Sequence, residues 1–102
     1  MEAAAGPTSA ATRAARLRAA AAGGRTAELS ALLAQGAPVD ASEEDGQTAL
    51  MAAVQANQPA AVALLLRRGA DPDLKDRAGR SARDMAAAAG DPELNRALGV
   101  AP

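Results

Sequence analysis

The sequence predicts an all-α solenoid of stacked helix–turn–helix repeats with protruding loops, on three observations. Leu32 to Asp40 (LLAQGAPVD) and Leu65 to Asp73 (LLRRGADPD) are near-copies, 33 residues apart. Alanine-rich segments with apolar residues at helical spacing alternate with stretches rich in Gly, Pro and Asp. The chain of 102 residues is 49% hydrophobic yet has no Phe, Tyr or Trp. An aromatic side chain buries roughly 150–250 Å². Without any, the core must be built from Leu, Val, Met and alanine methyls. Such a core suits closely spaced helices, not a sandwich or a barrel.

At an offset of 33 the matches include Leu17 with Leu50, Ala20 with Ala53, Leu32 with Leu65, Gly36 with Gly69 and Asp40 with Asp73. Leu29 pairs with Val62. One step further, Gly46 meets Gly79, Thr48 meets Ser81, Ala53 meets Ala86, Pro59 meets Pro92 and Leu65 meets Leu98. A fixed period of this length marks a repeat array. Three units follow, at roughly 12–44, 45–77 and 78–98, the third truncated. Residues 1–11, small and polar without periodicity, are expected to be disordered, and 99–102 to be a loose tail.

The middle unit shows the local grammar. Thr48 caps a helix over Ala49 to Ala56 through its hydroxyl. Asn57 and Gln58 break that helix, and Asn tolerates the left-handed conformation. Pro59 suits the first turn of a second helix, whose Val62, Leu65 and Leu66 form an apolar stripe. Gly69 ends it behind Arg67 and Arg68, cations placed where the helix dipole favours them. Ala70 to Gly79 is too rich in Asp, Pro and Gly for a helix. Neither helix alone has a face wide enough to be stable in water, so units must stack. The recurring alanines Ala19, Ala20, Ala52, Ala53, Ala86 and Ala87 are expected to let neighbouring helix pairs approach closely.

Asp45 to Asp73 resembles an ankyrin repeat. The positions of the family pattern are Gly46, Thr48, Ala49, Leu50, Ala52, Ala53, Val62, Leu64, Leu65, Gly69, Ala70, Asp71 and Asp73, and the resemblance covers about Thr12 to Leu98. Met51 stands where the family often has a His that ties the turn to its neighbour, so stability is expected to suffer. Asn57 replaces the usual turn Gly. Arg83 occupies the leucine position of the third unit. A buried Arg would be costly, so the third unit reads as a cap with its outer side in water. The first unit lacks the Gly-x-Thr-Pro-Leu opening and reads as the other cap. Solenoids need such end units for solubility.

Catalytic chemistry finds little footing. There are no histidines and no cysteines, which removes the usual zinc ligands and the base for a Ser or Thr nucleophile. No metal or cofactor is expected. Glu43, Glu44 and Asp45 read as a solvated tip. Asp71, Asp73 and Asp76 lack the spacing of a calcium loop. Arg13, Arg16 and Arg18 do not share a helical face, and base stacking has no aromatic platform. A net charge of −1 gives no bulk attraction to nucleic acid or anionic membrane. No apolar run reaches the roughly 20 residues that span a bilayer. The N-terminus has the Ala and Arg content of a transit peptide, but the repeat gives most of those residues a structural place. A cytoplasmic location is expected.

What the resemblance implies is a non-catalytic module that binds another protein, as a monomer or in a 1:1 complex, without nucleic acid or membrane. The binding face would be a concave one of loops and first helices. Its contact positions would be Glu44, Asp45, Gln47, Gln55 and Ala56 in the middle unit, and Arg77, Ala78, Arg80, Ala88 and Ala89 in the third. Arg77 and Arg80 are the expected hot spots, with Met51 or Val54 if the face is apolar enough. The tip from Asp40 to Gln47 is acidic, and that from Asp73 to Arg83 is basic. The two either orient a partner or attract each other and stiffen the stack. A small inhibitor or immunity-type protein blocking an enzyme, and a structural or designed scaffold without a partner, remain alternatives.

Overall fold

The computed structural model describes residues 9–42 and 44–99. Among these residues, six helices form three antiparallel pairs: α1 (Ser9–Ala22) with α2 (Thr26–Ala34), α3 (Ala49–Gln55) with α4 (Pro59–Arg67), and α5 (Ala82–Ala89) with α6 (Pro92–Leu98). The first helices pack in a row, α1 on α3 and α3 on α5. The second helices form a parallel row, α2 on α4 and α4 on α6. Between pairs, the chain makes two hairpin tips. Single bridges close them, Ser42 to Thr48 and Lys75 to Ser81, again one repeat apart.

The segment starts and stops follow the local chemistry. Thr48 Oγ1 accepts the Met51 N–H at 3.3 Å and caps α3. Ser81 does the same for α5 in a capping box with Asp84, and Asp91 caps α6. Pro59 and Pro92 open α4 and α6, where no backbone donor is needed. The turn inside each pair needs one left-handed residue, supplied in register by Gly24, Asn57 and Gly90 with φ of 68°, 56° and 67°. Asn57 thus performs the turn that Gly performs in its sister units. Asn is among the few side chains that adopt this conformation at modest cost.

Helix α1 starts at Ser9, so residues 9–11 are helical rather than disordered. Alanine at 10 and 11 favours continuing the helix upstream of the stack. Residues 1–8 and 100–102, the rest of the two expected loose segments, lie outside the described residues.

Exposure at equivalent positions separates the two faces of a unit. Position 16/49/82 is an exposed Arg16, then buried Ala49 and Ala82. Position 19/52/85 is an exposed Ala19, then buried Ala52 and Met85. These positions face the preceding unit. Positions 17/50/83 and 21/54/87 run the other way. Leu17, Leu50, Ala21 and Val54 are buried, whereas Arg83 and Ala87 are exposed. These face the following unit. The packing role expected of Ala19 and Ala87 therefore fails, because each looks away from the stack. Ala20, Ala53 and Ala86, between the two faces, are 0% exposed in all three units. Around them Leu17, Leu29, Leu50, Val62, Leu65 and Leu94 are withdrawn from water, each contributing about 1.5–3 kcal/mol.

The missing histidine tie has substitutes. Gln58 Nε2 donates to the Ala22 carbonyl at 3.1 Å, Arg68 Nη2 to Ser30 Oγ at 2.9 Å, and the Asp71 N–H to Asp40 Oδ1 at 3.0 Å. Each joins one unit to the next.

Candidate functional site

The two hairpin tips stand side by side at the N-terminal ends of α3 and α5. They are joined through the backbone: the Arg77 N–H donates to the Asp45 carbonyl at 3.0 Å. Gly46 makes this approach feasible. Its φ is +76°, and a Cβ there would lie 3.1 Å from Asp76 Cα and 3.3 Å from the Arg77 nitrogen.

Asp45 organises the middle tip. Its Oδ1 accepts the Gln47 N–H at 3.0 Å. From the first unit, Arg18 straddles both carboxylate oxygens at 3.4 and 3.3 Å and donates to Gln47 Oε1 at 3.2 Å. Arg18 links α1 to the middle tip. Glu44 is exposed, and its carbonyl accepts from Arg77 Nη1 at 3.5 Å. Glu43, the remaining acid of that loop, lies outside the described residues.

Asp76 organises the third tip from inside, its side chain only 3% exposed. Oδ1 accepts the N–H groups of Ala78 and Arg80 at 2.9 and 3.0 Å, and Oδ2 accepts Arg80 Nη2 at 3.4 Å. The Arg80 backbone N–H holds the carboxyl below the usual carboxylate range. Burial opposes this, while the Ala78 N–H and the Arg80 guanidinium add to it. Asp84 is also lowered, chiefly by the Ser81 N–H and then its hydroxyl, against some burial, with a lesser pull from Lys75. Arg83 Nε lies 3.5 Å from Asp73 Oδ1, with the side chains 46% and 66% exposed. Such a pair contributes roughly 0–1 kcal/mol.

The expected contact residues divide accordingly. Glu44, Asp45, Gln47, Arg77, Ala78 and Arg80 gather on the two tips. Gln55, Ala56, Ala88 and Ala89 are exposed at the far ends of α3 and α5, roughly 10 Å further along at 1.5 Å per residue. Met51 and Val54 do not belong to this face. They are 1% and 3% exposed, because α3 is enclosed by α1, α4 and α5. Arg18 and Asp76 are the two organising residues that sequence reasoning did not place at the site. A partial signal existed for Asp76: an Asp followed three residues later by Gly is a turn pattern.

Among the described residues, no helix is long and apolar enough to cross a membrane. Nor do three or more His, Cys, Asp or Glu side chains converge as a metal ion would require.

A search among curated proteins gives no match. The family model for ankyrin repeats, in three copies, matches residues 13–76. That span runs from Arg13 within α1 through α4 and the middle tip and ends at Asp76, near the start of the third tip, and α5 with α6 repeats the same pair geometry beyond it. Such repeats are generally non-catalytic modules of protein–protein interaction. With more than half of its length matched, and with helix pairs and hairpin tips recurring at one spacing, this chain belongs to the ankyrin-repeat family.

Proposed function

We propose that this chain binds another protein through the face formed by its hairpin tips and the exposed ends of its first helices. It does so in the cytoplasm, one to one, without catalysis of its own. The observation that carries the reading is the backbone bond between Arg77 and Asp45. It holds exposed Glu44, Asp45, Arg77 and Arg80, and half-buried Gln47, on one pre-ordered ridge. A ridge ordered beforehand loses little conformational entropy on binding. Affinity capture from a cell extract, comparing wild type with R77E/R80E, tests this. Loss of one or a few proteins from the variant's eluate is expected. Recovery of the same proteins from both would refute the contact surface. The Arg18–Asp45 pair supports a second reading, in which the tips mainly stiffen the stack and no partner is needed.

A further inference from the structure

The charges of the two tips are unevenly used. Asp45 is paired with Arg18, Asp73 with Arg83, and Asp76 with Arg80. Asp40 accepts the Asp71 N–H, Asp71 the Asp73 N–H, and Asp84 the Ser81 N–H. Of the described acids here, only Glu44 is left exposed with its carboxylate unengaged. Two cations differ from Arg80 and Arg83. Lys75 and Arg77 are exposed, and neither has a carboxylate within salt-bridge distance among the described residues. Arg77 reaches only the Glu44 carbonyl, at a long 3.5 Å. Lys75 feels the Asp84 carboxylate without pairing with it.

The backbone explains why these two remain available. Asp76 lies between them and is buried, whereas Lys75, at the bridge to Ser81, and Arg77, in the turn that the Gly79 N–H closes on the Asp76 carbonyl, are both exposed. The Asp76 cage and the Arg77–Asp45 bond fix the main chain beneath. A guanidinium and an ammonium are thus held on one tip with donors to spare. Arg presents paired donors that match a carboxylate, and Lys a mobile point charge beside it.

We propose that Lys75 and Arg77 receive an acidic segment of the partner protein, which brings carboxylates to the third tip; this rests on the binding face proposed above. On the neighbouring tip Arg18 neutralises Asp45, which lowers the repulsion such a segment meets there. The third tip would then guide encounter by charge and fix orientation, as complementary patches do.

Two measurements test this. In the first, the isotopically labelled full chain is titrated with a hexaglutamate peptide while backbone amide resonances are followed. Saturable shifts confined to Lys75, Arg77, Ala78 and their tip neighbours are expected. K75A/R77A should weaken binding about ten-fold or more, and raising salt from about 20 mM to about 300 mM should weaken it further. R67A/R96A, exposed cations on the second helices α4 and α6, should leave it unchanged. No shifts at the tip overturn the proposal, as do equal shifts around Arg67, Arg68 and Arg96. So does a mixed-sequence DNA duplex that binds the tip more tightly than the peptide. The second is capture from extract with K75A/R77A and, separately, with Q55A/E44A. Loss of partners with K75A/R77A supports the acidic segment. Loss only with Q55A/E44A overturns it while leaving the binding face standing, and loss with neither removes both.

Discussion

The Arg77 backbone N–H sits 3.0 Å from the Asp45 carbonyl oxygen, and this one bond aligns two hairpin tips that are distant in sequence. The contact depends on Gly46. Replacing it with Ala puts a Cβ against the Asp76 backbone at a positive φ. G46A is expected to cost about 1–3 kcal/mol, read as a lower urea midpoint with unchanged slope. A stability equal to wild type would mean that the tips are not held together as described.

The alanine register gives a paired prediction. Ala53 is 0% exposed between the two faces of the middle unit, whereas Ala87 is exposed on the outer face of the third. A53L should destabilise by about 1–3 kcal/mol through overpacking. A87L should stay within about 0.5 kcal/mol of wild type. Thermal melts of the two variants side by side decide it, and similar losses would contradict the assignment of the faces.

Asn95 stands where the sister units have Leu29 and Val62. Its Oδ1 is buried with no hydrogen-bond partner among the described residues. A buried unmet acceptor costs about 1–3 kcal/mol, so N95L is expected to raise the melting temperature. A fall would show that the amide has a partner in solution.

Asp76 and Asp84 have folded pKa values below their unfolded ones. Groups shifted this way stabilise the fold above the unfolded value. That contribution is lost as pH falls through the folded one. Melting temperature should therefore be flat from pH 7 to about 5 and drop below about pH 4, the ordinary carboxylate range. D76N should melt lower than wild type at pH 7, with the gap closing in acid. A gap that persists unchanged at pH 3 would place the effect outside the carboxylate charge.

Arg83 keeps the outer face of the third unit polar at a leucine position. R83L should change stability by about 0.5 kcal/mol or less while making sedimentation concentration-dependent, since it bares an apolar stacking surface. Unchanged sedimentation across the same range would show that the remaining polar groups suffice.

Much of the fold was legible because each unit repeats its own instructions. Thr48 and Ser81 mark two helix starts, Pro59 and Pro92 two others, and Asn57 a turn. What sequence could not supply was each residue's neighbour. Ala19 and Ala20 look alike in the chain, yet Ala19 is exposed and Ala20 is fully buried. Met51 lies on a first helix, but α3 is enclosed along most of its length and is exposed only at Gln55, with Ala56 just beyond its end. The Gln58 tie to Ala22 and the Arg18 bridge to Asp45 cross between units through long, flexible side chains. Their reach follows no local pattern. At the site, the tips and their opposite charges were legible, while the internal pairing that leaves Lys75 and Arg77 over was not.

The two-faced middle unit implies where this array can change length. Copying residues 45–77 in frame would create a seam between Leu50 and Val54 on one side and Ala49, Ala52 and Ala61 on the other, side chains already matched to such company. Adding a unit at either end would instead trap Arg16 or Arg83 in the new seam, where the interior units hold alanine or leucine. An additional whole repeat is therefore accommodated in the interior of this chain and resisted at its ends.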